Sequence, residues 1–258
     1  MTTGQPSAQL EPAEIAVFIL CGGLGTRLRS IEARPKAIVP VAARPFVSYQ
    51  LALLAAQGFA RFHLLLGVGA EAVREAWPEV ARIAGIPLGR FSMTQEREPL
   101  GTGGALASAR DRAARWNLVL NADSFVETDL GALVRSGGGE AEGAARLLAV
   151  WMDDRTDYGG LVLDADDRVT RFLEKGACDA GWINGGIYLM GRPLIEALPT
   201  GPSSLERDHL PRLASASRLW AVRSRGFFRD MGTPERLAAA QREFVAVGER
   251  LALPTSPA

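Results

Sequence analysis

The sequence predicts an α/β fold with a doubly wound, mainly parallel sheet and a strand-rich second half. Short, wholly apolar runs in the first half suit strands buried on both faces, as in parallel sheets. Segments with helical spacing alternate with those runs, which favours strands joined by crossover helices. In the second half, extended segments follow one another directly. We expect a single domain over residues 1–258, with loose ends at 1–14 and 253–258.

The first half is predicted to alternate strands with helices. The apolar run at 15–20 is the first strand, and a glycine cluster follows it. Further strands are expected at 62–66, 90–95 and 117–120. Helical spacing of apolar residues predicts helices at 46–57, 71–83 and 106–114. Gly58 is placed to stop the first helix, and Pro78 predicts a kink or break in the second.

The second half is predicted to be richer in strands. Extended segments occur at 145–152, 160–163, 169–173, 187–190, 219–223 and 226–229. Residues 164–167 supply a turn between two of them, because aspartate is frequent in turns. The last helix is expected to begin at Pro234, with Thr233 as its N-cap, and to continue to about residue 247.

The composition excludes several classes of partner. The chain has 29 Lys and Arg residues against 29 Asp and Glu residues, so no basic excess drives binding to nucleic acid. No apolar stretch reaches the roughly 18 residues of a membrane-spanning helix. Cys21 and Cys178 form no metal-binding pair, and a reducing cytoplasm fits this low cysteine content. A phosphate ligand would therefore be bound by a few placed residues.

A glycine-rich segment after the first strand is the first candidate site. Its sequence is Gly22-Gly23-Leu24-Gly25-Thr26-Arg27-Leu28. Glycines let backbone N–H groups approach a phosphate closely, and Arg27 and Lys36 offer positive charge to its oxygens. A tight turn with both cations in solvent would give the same pattern. Leu28 stands where a dinucleotide-binding fingerprint needs its third glycine, and the Gly-Lys-Ser/Thr of a P-loop is absent.

Three later segments place polar or small residues at strand ends and helix starts. Residues 98–106 form a second glycine cluster, which suits close approach of a base or ribose but also fits an ordinary helix start. Asp123 follows an apolar strand, where open α/β sheets bind ligands, although an aspartate there also caps helices. Asp230 precedes a capped helix and fits a turn residue when taken alone.

Together these motifs resemble those of the sugar nucleotidylyltransferase family. The family pattern G-G-x-G-x-R-L, followed by P-K-x-x-x-P-V, stands here at 22–28 and 35–41. The family's L-G-T-G-G-A, G-D and F-x-D-I-G-T-P-E motifs are matched by segments at 100–105, 122–123 and 228–235. Ala122 replaces the usual glycine beside the aspartate. The resemblance covers roughly residues 17–242, and it implies a Rossmann-like sheet of the nucleotide-diphospho-sugar transferase type with a sugar-binding second half.

The resemblance also implies roles for individual residues. It makes Arg27, Lys36 and Asp123 the catalytic residues, with Mg²⁺ held by Asp123 and Asp230. The expected nucleotide contacts are Cys21, Gly22, Gly23, Gly25, Thr26, Gln95, Glu96, Gly101, Thr102 and Gly103. The expected sugar-phosphate contacts are Gly160, Glu174, Lys175, Asn184 and Gly185. The partners implied are a nucleoside triphosphate and a sugar 1-phosphate, with no nucleic acid and no membrane, and with a homodimer as an open possibility.

Within the family, the chain most resembles the D-glycero-D-manno-heptose 1-phosphate guanylyltransferases. The marks are L-G-T-G-G-A and the segments at 123–125 and 204–206, and they imply GTP and a heptose 1-phosphate as substrates. A mannose 1-phosphate or other hexose 1-phosphate enzyme remains an alternative. A catalytically silent regulatory relative is disfavoured because Arg27, Lys36, Asp123 and Asp230 are all present. A nicotinamide dehydrogenase is disfavoured by the missing third glycine.

Overall fold

A nine-stranded mixed sheet forms the centre of the structure. The computed structural model describes residues 10–23, 28, 32–137 and 142–254. In chain order, the strands are β1 (Ala16–Leu20), β2 (Pro40–Val41), β3 (Arg44–Pro45), β4 (Arg61–Leu66), β5 (Phe91–Gln95), β6 (Trp116–Asn121), β7 (Ser124–Val126), β8 (Ala145–Met152), β9 (Gly160–Leu163), β10 (Val169–Phe172), β11 (Gly181–Gly191), β12 (Leu219–Ser224) and β13 (Phe228–Asp230). Two small ribbons, β2–β3 and β7–β13, stand outside the large sheet.

The pairing of the strands confirms an α/β fold and shows that the sheet is mixed. Strands β5, β4, β1 and β6 form a parallel core in that order. Strand β11 joins β6 in the antiparallel sense and also pairs antiparallel with β8 and β9. The parallel arrangement therefore belongs to the first half of the chain. The second half extends the sheet mostly with antiparallel strands, which can follow one another without crossover helices.

Seven α-helices accompany the strands in the described part of the chain. They are α1 (Phe46–Ala56), α2 (Ala70–Ala84), α3 (Gly101–Ser108), α4 (Leu130–Ser136), α5 (Arg192–Glu196), α6 (Leu210–Ser215) and α7 (Pro234–Arg250). The short helices α4, α5 and α6 are missing from the sequence prediction, because one or two turns carry too little periodicity to be recognised. None of the described helices is long and apolar enough to cross a membrane.

Two of the predicted helices differ from the structure. Helix α2 runs through Pro78 without a break. Trp77 and Val80, on either side of that proline, are buried in the core, and their packing outweighs the lost backbone hydrogen bond. Helix α3 begins at Gly101, five residues before the predicted start at residue 106. The low helix propensity of its glycines hid this start, while in the structure the amide of Gly103 donates to the carbonyl of Ser203 at 2.9 Å.

Strand β1 lies between two layers of helices. Its alternate residues Val17 and Ile19 pack in a core with α1, α2 and α4, whereas Ala16 and Phe18 pack in a second core with α3, α5 and α6. All four side chains are buried. This double burial explains why the strand is apolar at every position, and it confirms the doubly wound arrangement predicted from the sequence.

Helix α7 brings the end of the chain back to the first half. Thr233 caps it, since its side chain accepts a hydrogen bond from the amide of Arg236 at 3.4 Å. Phe244 packs against the rings of Phe46, Tyr49 and Phe125. The preceding strand β13 pairs with β7, which directly follows β6. The C-terminal part is thereby held beside the end of a central strand.

Candidate active site

A cavity of about 370 Å³ opens at the carboxyl ends of β1 and β6. These adjacent parallel strands end at the paired residues Leu20 and Asn121. The cavity is lined by Leu20, Cys21, Gly22, Gly23, Lys36, Ala37, Glu96, Pro99, Gly101, Thr102, Ala105, Asn121, Ala122 and Asp123. Its position is the one at which open α/β sheets bind their ligands.

Lys36 and Asp123 form an ion pair on the cavity wall. The Lys36 Nζ lies 2.6 Å from Asp123 Oδ2, and the two side chains are 18% and 32% exposed. Asp123 is positioned by the end of β6, where the amide of Ala122 donates to the carbonyl of Leu20. Lys36 begins a short 3₁₀ turn that is anchored by the buried Ala37. The fold thus joins two predicted catalytic residues that lie 87 positions apart in sequence.

Cys21 contributes a neutral wall to the cavity. Its amide donates to the carbonyl of Leu65 at 2.9 Å, which continues the β1–β4 ladder beyond the strand end. Burial, together with the negative charge of Asp123, raises the pKa of the Cys21 thiol to about 12. The thiol therefore stays protonated near neutral pH and is a poor nucleophile.

Glu96 is a second carboxylate on the cavity lining, and it lies beside Gly22. Its Oε2 accepts a hydrogen bond from the amide of Leu100 at 3.0 Å. A Cβ atom at Gly67 would lie 2.4 Å from Glu96 Oε1, and one at Gly22 would lie 3.1 Å from it. Burial raises the pKa of Glu96, against the smaller lowering effect of the Leu100 amide. The glycines therefore make room for a partly desolvated acceptor at the cavity.

The structure separates the predicted nucleotide contacts into three sets. Six of them line the cavity, namely Cys21, Gly22, Gly23, Glu96, Gly101 and Thr102. Gln95 is exposed, and its side-chain oxygen accepts a hydrogen bond from Arg74 Nη2. Gly103 packs closely against Ser203, since a Cβ atom at Gly103 would lie 2.5 Å from Ser203 Oγ. Neither of these two residues lines the cavity. Gly25 and Thr26 lie outside the described residues, as does the predicted catalytic residue Arg27.

The predicted sugar-phosphate contacts lie on the second half of the sheet, and none of them lines this cavity. Glu174 and Lys175 are exposed beyond β10. Asn184, on β11, donates from Nδ2 to Tyr188 Oη at 3.0 Å and accepts from the amide of Gly186. Gly160 exchanges two backbone hydrogen bonds with Leu173, and Gly185 sits against β8 at a distance that leaves no room for a side chain.

Asp230 is held in a second ion pair. Arg236 Nη1 donates to its two carboxylate oxygens at 2.9 and 2.8 Å, and the amide of Gly232 donates to Oδ1 at 2.6 Å. Only 8% of the residue is exposed. Strand pairing places Asp230 opposite Ser124, and the amide of Met231 donates to the carbonyl of Asp123 at 3.0 Å. The two predicted metal ligands are therefore neighbours, each with a cation of its own.

The donor set fits a metal ion only in part. The described residues contain no cluster of three or more His, Cys, Asp or Glu side chains. Asp123 borders the cavity, and among the described residues its Oδ1 has only a long contact, 3.4 Å, from Ser124 Oγ. One free carboxylate oxygen suits Mg²⁺, which completes its shell with phosphate oxygens and water. The oxygens of Asp230 already accept from Arg236 and Gly232.

Comparison with known proteins agrees with this geometry. Residues 16–246 match the nucleotidyl transferase family, described as "Nucleotidyl transferase". The match spans the cavity, both ion pairs and the second half of the sheet. The chain belongs to the nucleotidyl transferase family. This confirms the family that the glycine and aspartate motifs predicted.

Individual members of the nucleotidyl transferase family are similar over most of this chain. A probable mannose-1-phosphate guanylyltransferase 1 of Oryza sativa subsp. japonica is 34% identical over 227 residues, which is 84% of this chain and 61% of the relative. The chain thus spans about three fifths of the curated relatives it matches. The crystal structure of HddC from Yersinia pseudotuberculosis has a TM-score of 0.79 at 31% identity, covering 89% of this chain and 99% of HddC. A second HddC structure, complexed with GMP-PN, gives the same values.

Two residues near the candidate site were not given roles by sequence reasoning. Glu206 accepts from Thr102 Oγ1 at 2.7 Å, from Ser204 Oγ at 3.0 Å and from Tyr188 Oη at 3.3 Å, so it links the start of α3 to β11. In the sequence analysis Glu206 appeared only within the segment at 204–206 that carries the subfamily resemblance. Arg236 pairs with Asp230 across six residues of sequence. Glu206 has no local signal, because its partner Thr102 is distant in sequence. Arg236 is near Asp230 in sequence, but their contact depends on how the end of β13 leads into α7.

Proposed function

We propose that this nucleotidyl transferase joins a sugar 1-phosphate to a nucleoside triphosphate and releases pyrophosphate. The observation that carries the proposal is the Lys36–Asp123 pair on a glycine-lined cavity at the end of β6. A cation and an acid beside accessible backbone suit a triphosphate and its metal ion. The mannose-1-phosphate guanylyltransferases among the relatives support the same class of reaction.

The reaction needs no protein nucleophile. An oxygen of the sugar phosphate attacks the α-phosphorus, the bond from that phosphorus to the bridging oxygen of the β-phosphate breaks, and pyrophosphate leaves with the electron pair. The protein's contribution is to align the two substrates and to neutralise charge. The protonated Cys21 is consistent with such a site, since no covalent intermediate is required.

Lys36 would change partner when the triphosphate binds. Its ammonium group is held at 2.6 Å from Asp123, on the wall of the cavity. Phosphate oxygens that enter the cavity carry more negative charge than one carboxylate, so they would attract the ammonium group. Asp123 would then be available to Mg²⁺, which would neutralise phosphate charge when bound. Asp230 would supply the second carboxylate, subject to its pairing with Arg236.

The chain contains only two lysines among its 29 Lys and Arg residues, and both were predicted to bind phosphate. Arginine fills the other 27 positions. A compact ammonium group on a flexible stem can follow a phosphate through the reaction more easily than a planar guanidinium fork. The presence of lysine, and not arginine, at positions 36 and 175 supports their assignment to the triphosphate and to the sugar phosphate.

Guanine is the base that the cavity favours. Glu96 presents a partly desolvated carboxylate, and guanine offers a ring N–H and an exocyclic amine as donors. Adenine has an exocyclic amine but no adjacent ring N–H, so it would make fewer hydrogen bonds to this carboxylate, which disfavours it. The GMP-PN in the HddC structure and the guanylyltransferase relatives support the choice of GTP.

The favoured sugar is a heptose 1-phosphate, and mannose 1-phosphate is the second candidate. The heptose assignment rests on the subfamily marks at 123–125 and 204–206. Within the second mark, Glu206 organises three hydroxyl groups, including that of Tyr188 beside the predicted sugar contact Asn184. Mannose 1-phosphate is supported by the names of the curated relatives.

A substrate matrix tests these assignments. Purified chain is incubated with each of four nucleoside triphosphates and with heptose, mannose and glucose 1-phosphates, and pyrophosphate release is measured. GTP with heptose 1-phosphate should give the highest kcat/KM, with mannose 1-phosphate slower. A preference for another base across all sugars contradicts the guanine assignment. No pyrophosphate from any pair contradicts the proposed reaction and favours a silent relative.

The two lysines allow a second, independent test. Amine-selective acetylation followed by mass spectrometry can report on only Lys36, Lys175 and the chain's terminal amine. GTP with Mg²⁺ should protect Lys36, and sugar 1-phosphate should protect Lys175. The terminal amine, unprotected by either ligand, is the internal control. Equal labelling of both lysines with and without ligands contradicts their assignment to phosphate binding.

A further inference from the structure

The second predicted metal ligand, Asp230, has a competitor. Strand β13 places it opposite Ser124, the residue after Asp123, and the Met231 amide joins the two segments at the carbonyl of Asp123. Asp230 is therefore held in the right part of the molecule for a shared metal ion. Its side chain is nonetheless engaged, because Arg236 contacts both carboxylate oxygens at 2.9 and 2.8 Å.

The Arg236–Asp230 ion pair is formed by a residue at the start of α7. Arg236 lies in the first turn of that helix, after the Thr233 cap, and its side chain is 13% exposed. A divalent cation that bound Asp230 would face this guanidinium group at short range. Two cations held on one carboxylate in a poorly solvated place repel each other strongly. Metal binding at Asp230 therefore requires the guanidinium group to withdraw.

Arg236 has a second carboxylate within reach. Its Nη2 lies 2.9 Å from Asp157 Oδ2, and the Asp157 side chain is 70% exposed. The guanidinium carbon also lies 4.4 Å from the centre of the Tyr158 ring. A small shift of Arg236 away from Asp230 would keep the Asp157 ion pair and the contact with the ring. The contacts that would hold the guanidinium group away from Asp230 are therefore already present.

We propose that Arg236 competes with the metal ion for Asp230, and that Asp157 retains the guanidinium group when the metal binds. Arg236 is then a positioning residue that sets the metal affinity of the site. This inference rests on the proposed function, because it takes Asp230 as a metal ligand.

The test measures metal affinity without turnover. Mn²⁺ alone is titrated into the full chain, and free Mn²⁺ is followed by electron paramagnetic resonance. Arg236→Gln should bind Mn²⁺ about tenfold more tightly than the wild type or better, because a charge-assisted competitor is removed. Asp157→Asn should weaken binding about two- to fivefold, since the loss of an exposed ion pair favours the Asp230-bound position of Arg236.

Two further variants separate competition from other effects. Asp157→Asn in the Arg236→Gln background should leave Mn²⁺ affinity unchanged, because no guanidinium group remains to be retained. Arg229→Gln removes a partly buried ion pair with Glu243 that also joins β13 to α7, and it should leave the affinity at the wild-type value.

Three results would contradict the proposal that Arg236 competes with the metal ion. The first is an unchanged or weaker Mn²⁺ affinity in a folded Arg236→Gln variant, and the second is an unchanged affinity in Asp157→Asn. The third is a weakening of Mn²⁺ binding by Asp157→Asn that persists in the Arg236→Gln background. If Arg236→Gln does not fold, an unchanged Mn²⁺ affinity in Asp157→Asn still overturns the competition, because this variant leaves the buried pair intact. Pyrophosphate release by the wild type is measured separately, so failure of the proposed reaction is distinguishable from failure of the competition.

Discussion

The two lysines of this chain lie in contrasting surroundings. Lys36 is largely buried, sits on a turn anchored by core residues and is fixed 2.6 Å from Asp123. Lys175 is exposed on the loop after β10. The predicted nucleotide half therefore holds its cation in place before a ligand arrives, whereas the predicted sugar half leaves its cation in solvent. We infer that the position of Lys175 depends more on the substrate.

The other predicted site residues also differ between the two halves. Six of the eight described residues predicted to contact the nucleotide line one cavity together with Lys36 and Asp123, whereas none of the five predicted sugar-phosphate contacts does so. Preorganised groups act most strongly on the chemical step, because no ordering remains to be done at that moment. Groups that are ordered by a ligand act mainly on its binding. Substitutions in the two halves should therefore affect different kinetic constants.

The largest effect is expected at the preorganised carboxylate. Asp123→Asn should lower kcat at least about a thousandfold, because a charged group at the reacting phosphates is lost. The thermal unfolding midpoint should stay close to that of the wild type, since the residue lies on the cavity wall. Ser124→Ala, which removes only the 3.4 Å contact to Asp123, is the control. Turnover within tenfold of wild type at low magnesium would contradict the role of Asp123.

The next effect is expected at Lys36. Lys36→Ala should lower kcat/KM at least about tenfold, or roughly 1.4 kcal/mol of transition-state stabilisation. The same loss is predicted for Arg27→Ala from sequence. Arg34→Ala is the matched control, because Arg34 is a nearby exposed cation that pairs with Glu32. Unchanged kinetics for Lys36→Ala would mean that the Lys36–Asp123 pair is structural.

A smaller effect, confined to base choice, is expected at Glu96. Glu96→Gln should reduce the ratio of kcat/KM for GTP over ATP about tenfold, because an amide presents one acceptor oxygen instead of two. Glu98→Gln changes an exposed carboxylate two residues away and should leave the ratio unchanged. A ratio that is unaffected by Glu96→Gln would place guanine recognition elsewhere.

The smallest effect is expected at the exposed Lys175. Lys175→Ala should raise the KM for the sugar 1-phosphate about three- to tenfold and leave the KM for GTP unchanged, because an exposed ion pair contributes about 1 kcal/mol or less. Arg171→Ala, at a nearby exposed position on β10, is the control. A large fall in kcat for Lys175→Ala would break the contrast, since it would give this lysine the same function as Lys36.

Sequence reasoning succeeded where residues are tied to regular elements. Apolar runs located the strands of the parallel core, and motifs after β1 and β6 located the cavity, because the carboxyl ends of adjacent parallel strands meet at one edge. It failed at Pro78, where burial of flanking residues keeps α2 continuous, and at the start of α3, where packing overrides the low helix propensity of glycine. The single-domain organisation and the homodimer stay predictions.

By itself, the sequence determined the α/β class, the family and eight of the fourteen residues that line the cavity. These follow from local periodicity and from motifs whose spacing is short. Only the tertiary structure decided that Lys36 pairs with Asp123, that Arg236 occupies Asp230, and that Glu206 links α3 to β11. Two of these pairings, Lys36 with Asp123 and Thr102 with Glu206, join residues 87 and 104 positions apart. Charge and hydrogen-bond partners depend on distance in space, which no local pattern in a sequence records.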